Sequence, residues 1–357
     1  MKIGVIGDLH FKPQLGYADF VADKREKEYK DVLDRIKETF KEHDCIVLMG
    51  DCLDLKNNTS SVIRDFVEFV SSFPPEKLII VSGNHERFGD GRTALDFLKA
   101  IDKPWKVLTS GVSSVPVEVK HGNESLVVNL RFIPYQTKLD WSVDTDEEAA
   151  QKIVDEANQA GRYTIAFAHH AVKHDSVSHI PTDFFNEPVL DSTEMFKFTD
   201  IVVIGHIHEP KLIESNGKTF LRTGAVFTNK VDETHRSVWT IEIDNEGNKK
   251  VIEHELPVRG IYKVFNPTIE SLEKISSHSI VKIVVTDRSI DSLALKNYAS
   301  ERFDGSLVVE SYDTERNAVT IEGDVIDYSI EKMIHKYAEA KSMDASMLLR
   351  GYEMIRK

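Results

Sequence analysis

Short apolar runs punctuate the chain at residues 3–7, 45–50, 78–83, 164–168 and 200–205, most of them rich in Val and Ile. Runs this short and this β-branched read as buried strands rather than helices. Between them the period changes. Residues 23–43 place Tyr29, Val32, Leu33, Ile36 and Phe40 at helical spacing, and residues 61–73 do the same with Val62, Phe66, Val67 and Val70 before Pro74-Pro75 ends the helix. Strand, helix, strand, helix in this order predicts a layered α/β core. From Val115 the texture becomes alternating, around a His121-Gly122-Asn123 turn and again at residues 219–226, 237–243 and 250–256, with a break at Asp244-Asn245-Glu246-Gly247. These are the expected strands of a second sheet.

Past Pro257 the pattern predicts a strand at 280–286, a helix at 291–303 and strands at 307–312 and 318–322, a small α+β cap. The last stretch carries Ile330, Met333, Ile334 and Tyr337, then Leu348, Tyr352 and Ile355, at helical spacing. The expected organisation is a main domain over 1–257, a cap over 258–325 and a helical tail over 326–357.

Each of the five runs leads directly into residues that can bind a metal: Asp8 and His10, Asp51, Asn84 and His85, His169, and His206 and His208. In layered α/β proteins the ligand crevice lies outside the carboxyl ends of the strands, so these termini are expected to converge. Alternate residues leaving a strand project to one side, which lets both members of Asp8-x-His10 and His206-x-His208 face the same crevice. Gly residues directly before Asp8, Asp51, Asn84 and His206 suit close backbone approach. A single His or Asp at a strand end is more often a structural hydrogen-bonding residue than a ligand, but seven together are not a structural pattern. Carboxylate, amide oxygen and imidazole in one set suit manganese, iron or zinc, whereas magnesium and calcium favour oxygen alone.

Composition narrows the classes. With 357 residues, 41% hydrophobic and 29% charged, the chain is expected to be soluble and to form more than one domain. No apolar stretch approaches a membrane span and the chain opens on a strand, so a cytoplasmic protein with no membrane contact is expected. Cys45 and Cys52 are expected to be reduced thiols. A net charge of −14 argues against nucleic-acid binding through a broad basic face, although bound divalent cations would reverse the field locally. His174, His179 and His235 belong to no motif and are expected at the surface; Lys24, Arg25, Lys27 and Lys30 are expected to form a solvated helix face.

Gly7-Asp8-Leu9-His10, Gly50-Asp51-Cys52-Leu53-Asp54, Gly83-Asn84-His85-Glu86, His169 and Gly205-His206-Ile207-His208 together resemble the signature of the calcineurin-like metallophosphoesterases, in order and spacing. The resemblance implies a four-layer α/β/β/α sandwich and two divalent metal ions. It implies that Asp51 bridges them, that Asp8, His10 and His208 complete one position, and that Asn84, His169 and His206 complete the other. His169 is favoured over its neighbour His170 by the same resemblance. His85 would act on the leaving oxygen or the phosphoryl transition state, and Asp54 would orient it. The whole chain is further similar to the SbcD-like DNA nucleases and sides with their bacterial and phage branch, since archaeal and eukaryotic relatives often carry His at the position of Asp54. Thr223-Gly224-Ala225-Val226 departs from the Pro-Gly-Ser turn common there. That similarity implies a manganese-dependent exo/endonuclease subunit of recombination, repair and replication, a homodimer bound through its tail and cap to an SMC-like ATPase subunit with a coiled coil. Two other classes stay open: a small-substrate phosphoesterase, such as a protein phosphatase or cyclic nucleotide phosphodiesterase, and a non-catalytic scaffold on the same fold.

Overall fold

The Val- and Ile-rich runs do form the centre of the protein. The computed structural model describes residues 1–12, 22–121, 124–159, 164–174, 187–227 and 235–311. One six-stranded sheet orders Lys249–Glu255, Ser237–Ile243, Lys2–Ile6, Cys45–Leu48, Leu78–Val81 and Lys106–Leu108, parallel from Lys2–Ile6 onward. The other orders Lys211–Ser215, Lys218–Arg222, Ile201–Ile204, Ile165–Ala168, Glu124–Ile133 and Ser113–His121, with the middle four parallel.

Period-two alternation assigns each strand residue to a layer. Ile3, Val5, Val47, Ile79 and Val81 of the first sheet meet Leu130, Phe132, Ile165, Phe167, Ile201 and Val203 of the second in one buried cluster. Their neighbours Ile6, Ile46, Leu48 and Ile80 turn the other way, onto Val32, Leu33, Ile36 and Phe40 of the Ala22–Phe40 helix and Val62, Phe66, Phe69 and Val70 of the Ser60–Ser71 helix. On the far side, Ala166, Ala168, Val202 and Ile204 pack against Ala150, Ile153, Val154 and Ala157 of the Asp146–Asn158 helix. The result is the expected four-layer α/β/β/α sandwich. Thr59 caps the Ser60–Ser71 helix by accepting from the Val62 amide, so the helix starts one residue before the periodic pattern suggested.

The described part of the expected cap is a parallel sheet of Ile261–Phe265, Ile280–Val285 and Gly305–Glu310, connected through helices Ile269–Glu273 and Ser292–Arg302. The strand expected at 318–322, the helical tail over 326–357, the turn at 122–123 and His179 lie outside the described residues. Among the described residues no helix is long and apolar enough to cross a membrane. Cys45 and Cys52 are free and buried.

Sheet membership and one surface assignment are corrected. Ser237–Ile243 and Lys249–Glu255, expected in the second sheet, extend the first instead, with Ser237–Ile243 antiparallel to Lys2–Ile6. Arg25 is not part of a solvated face: it is 4% exposed, donates to Glu28 at 3.0 Å and lies 4.0 Å from the centroid of the Phe227 ring. Glu28 in turn accepts the Arg259 amide at 2.5 Å, so these side chains join the first long helix to the start of the cap.

At the other end of that helix, His43 and His254 each lie 2.8 Å from the Thr240 hydroxyl. Burial, then the nearby His254 and Lys2, lower the His43 pKa to about 4. The folded state therefore binds fewer protons than the unfolded chain, whose histidine titrates near 6.5. This stabilisation is complete above about pH 6.5 and is lost as pH falls toward 4. Thermal melts should show a loss of up to about 2 kcal/mol over that window, allowing for residual solvent around the ring, and His43→Gln should flatten the slope.

Candidate metal centre

The strand ends place the motif residues on facing loops, and backbone contacts lock those loops together. The His10 amide donates to the Asp51 carbonyl at 2.8 Å, the His85 amide to Asp51 Oδ1 at 2.9 Å and the His206 amide to Asp8 Oδ1 at 3.0 Å. The last of these links the two sheets. Tyr29 donates its hydroxyl to the Leu9 carbonyl at 3.0 Å, fixing the backbone between Asp8 and His10 from the helix layer. Glu86, fully buried, accepts from the Leu53 amide at 2.9 Å and the Gly83 amide at 2.7 Å. Burial, and then the Asp51 charge, push its carboxyl up to about 8.

The turns are tight enough to dictate residue type. A Cβ on Gly83 would stand 2.1 Å from Asp51 Oδ1, and one on Gly7 would stand 1.8 Å from the Gly224 carbonyl oxygen. Three of the candidate ligands have left-handed backbones, with φ of 46° at His10, 45° at Asp51 and 78° at His206. Non-glycine residues rarely adopt this region, and where they do it clusters at functional sites.

Two donor groups result, and Asp51 belongs to both. Donor atoms of His10, Asp51 and His85 lie within 4.8 Å of one another, as do those of Asp51, His169 and His206. His10 Nε2 and His208 Nε2 are 2.9 Å apart. The inward atom of the Asn84 amide stands 2.9 Å from His206 Nδ1, 3.2 Å from His169 Nε2 and 3.0 Å from Asp51 Oδ2. As an oxygen it joins a set of acceptors that face one another, which suits a cation among them. Asp8 Oδ2 is buried without a hydrogen-bond partner among the described residues, a second acceptor that suits a cation. The residues present thus fit two divalent ions that would share Asp51, one beside His10 and the other beside His169 and His206, with Asp8, Asn84 and His208 adding nearby donors.

The electrostatics agree. Burial alone would raise the Asp51 carboxyl, but the imidazoles of His169, His10 and His85 outweigh it and hold it far below the usual carboxylate range. His169 is the partner: burial disfavours its charge, yet Asp51 and Asp8 bring its pKa up to about 10. Asp51 Oδ1 and His169 Nε2 are 3.4 Å apart. A divalent cation bound among these donors would supply positive charge in place of that proton. His169 Nδ1 donates to the Met49 carbonyl at 2.5 Å, which leaves Nε2 to face the donors. Its neighbour His170 is also fully buried but turns away, with Nε2 3.2 Å from the Pro134 carbonyl and its ring stacked on Tyr135.

His85 stands at the edge of the cluster, its side chain 40% exposed and its Nε2 3.9 Å from Asp51 Oδ2. Its Nδ1 lies 2.8 Å from the backbone carbonyl of Asp54. The Asp54 carboxylate points elsewhere, 3.1 Å from His10 Nδ1 and 2.9 Å from Lys12 Nζ. Asp54 therefore touches both His85 and His10, the first through its main chain and the second through its side chain. Of the unpatterned histidines, His174 packs its ring against Phe220 and the half-exposed His235 pairs with Glu253 at 2.6 Å, both away from the cluster. Two contributors had no motif to announce them: Tyr135, and Glu187, whose Oε1 is 2.6 Å from His206 Nε2.

Similar solved structures include a protein described as a 5′-nucleotidase from Staphylococcus aureus, 16% identical, with a TM-score of 0.45 over 76% of this chain and 56% of that one. This chain thus spans little more than half the length of that relative. An archaeal phosphodiesterase is 13% identical, with a TM-score of 0.34 over 71% of this chain and all of that one, 100%. Vps29 of Entamoeba histolytica is 14% identical, with a TM-score of 0.30 over 72% of this chain and 99% of its own. No curated protein matches the chain significantly. Residues 1–210 match the calcineurin-like phosphoesterase family, a stretch that holds every donor described above, and the chain belongs to that family of dinuclear metal-dependent hydrolases.

Proposed function

We propose that this chain is a two-metal DNA phosphodiesterase with manganese as its native ion. In this reading it is the nuclease subunit of a recombination and repair complex, a homodimer in the cytoplasm, with the cap and tail engaging DNA and an SMC-like ATPase. The observation that carries the reading is the position of His85 on an open cleft of about 640 Å³ lined by Asp54, Leu55, Lys56, Asn57, Asn84 and His85. The cleft reaches the donor cluster through His85 and Asn84, whose amide stands 2.9 Å from His206, and an open cleft admits a phosphodiester chain. Lys56 and Asn57 can hold flanking phosphates. The parallel sheet beyond residue 257 adds a second surface that hydrolysis of a small phosphoester does not require.

When bound, the two cations would activate water and neutralise charge on the phosphoryl oxygens. The chain's own part is positioning and proton transfer. Asp51 is held in place by the His85 amide, so the general acid and the shared carboxylate move as one unit. His85 Nδ1 donates to the Asp54 carbonyl in both of its protonation states, and this holds Nε2 toward the cleft, where the protonated ring can give a proton to the departing oxygen. The nitrogen-containing donor set favours manganese over magnesium.

The test is cleavage of linear duplex and single-stranded DNA by the full chain with Mn²⁺, beside nucleoside cyclic phosphates and a simple phosphodiester. Metal-dependent DNA cleavage is expected. Turnover of cyclic phosphates with DNA left intact would retain the metal centre and replace the substrate.

A further inference from the structure

Behind His206, on the side away from Asn84, stands a carboxylate outside every motif. Glu187 Oε1 is 2.6 Å from His206 Nε2, and its other oxygen accepts the Tyr135 hydroxyl at 2.9 Å. The Glu187 side chain is only 10% exposed, so this contact is shielded from solvent. Tyr135 is itself held: its amide donates to the Ser82 carbonyl at 3.1 Å, and its ring stacks on buried His170 with centroids 5.3 Å apart. A continuous path thus runs from His170 through Tyr135 and Glu187 to His206.

A neutral imidazole has one ring proton, and a carboxylate at this distance fixes it on Nε2. Nδ1 is left as a lone pair 2.9 Å from the Asn84 amide, among the donors. His169 solves the same problem with the Met49 carbonyl. His206 instead has a carboxylate as its acceptor, which orients the ring. Because the two nitrogens of one ring point in opposite directions, Glu187 lies outside the donor cluster rather than within it.

We infer that Glu187, steadied by Tyr135, is a positioning residue that sets how tightly the Asn84, His169 and His206 position binds its metal, leaving the Asp8, His10 and His208 position unaffected. The inference rests on the two-metal reading. It explains why a buried, stacked His170 and a half-buried tyrosine accompany the second position.

The experiment is a Mn²⁺ titration of the full chain by calorimetry, with electron paramagnetic resonance to separate paired from isolated ions. In Glu187→Ala one of the two sites should weaken roughly 10- to 100-fold while the other stays unchanged, and the signal of the coupled pair should give way to that of an isolated ion. Glu187→Gln, which retains an acceptor oxygen but no charge, should fall between wild type and alanine. Tyr135→Phe should weaken the same site more mildly. Two sites of wild-type affinity in Glu187→Ala would overturn the inference, as would equal weakening of both sites with a lowered melting temperature, the mark of a merely structural role. A wild-type chain that binds no pair of ions would overturn the two-metal reading and this inference together.

Discussion

Replacing His85 with alanine is expected to slow phosphodiester cleavage roughly 10²- to 10⁴-fold, while both metal positions keep their ions. The ring is 40% exposed, donates to the Asp54 carbonyl and meets the His10 ring edge-on at 4.8 Å between centroids, so its removal breaks one hydrogen bond at the rim of the site. The amide that holds Asp51 is main chain and survives the change. Bound metal per chain, measured after desalting, should equal wild type, and the melting temperature should hardly move. Cleavage at the wild-type rate would remove His85 from the chemistry; loss of one metal with the ring would make it a ligand instead.

Asp51→Asn is expected to do the reverse, abolishing activity through the loss of both ions. Asp51 is 1% exposed and is the one residue common to both donor groups. Its carboxylate also stands 3.4 Å from His169 Nε2 and, in the metal-free chain, outweighs the burial of that ring and brings its pKa up to about 10. An amide keeps the shape and one acceptor oxygen for the His85 amide, but it takes away the charge that the two positions share. The uncompensated imidazolium should then lose its proton, limiting the fall in stability to less than the roughly 3–5 kcal/mol of a fully broken buried pair. Metal analysis separates the outcomes. A variant that retains one tightly held ion would show that Asp51 serves a single position.

Much of this architecture could be read directly from the residues. Val5, Val47, Ile79 and Val203 are β-branched and buried on both sides, so their runs announce strands; Tyr29, Val32, Ile36 and Phe40 announce a helix. The gathering of candidate donors was legible because strand ends concentrate chemistry and the motifs are local. What escaped notice was written in weaker signals. The Asp146–Asn158 helix buries Ala149, Ala150 and Ala157, whose small side chains hardly raise an apolar stripe, although Thr145 and three acidic residues mark its start. The strand expected through residue 226 ends at Arg222, because the chain must turn through left-handed Gly224 to pass beneath Gly7. Arg25 looked like one of several helix-surface cations until Phe227 and Glu28, distant and near in sequence, enclosed it. Glu187 could not be read at all: its role depends on an approach to His206 that only the folded chain creates.

The left-handed backbones at His10, Asp51 and His206 bear on how this protein would respond to engineering. Each stores about 1 kcal/mol or more of conformational strain that glycine would release. Glycine at any of them would relieve that strain but remove a buried side chain and a candidate ligand, so a gain in backbone comfort there would dismantle the catalyst. A stabilisation campaign on this scaffold should hold all three fixed and seek its gains in the helix layers, where tighter packing and the chemistry do not compete.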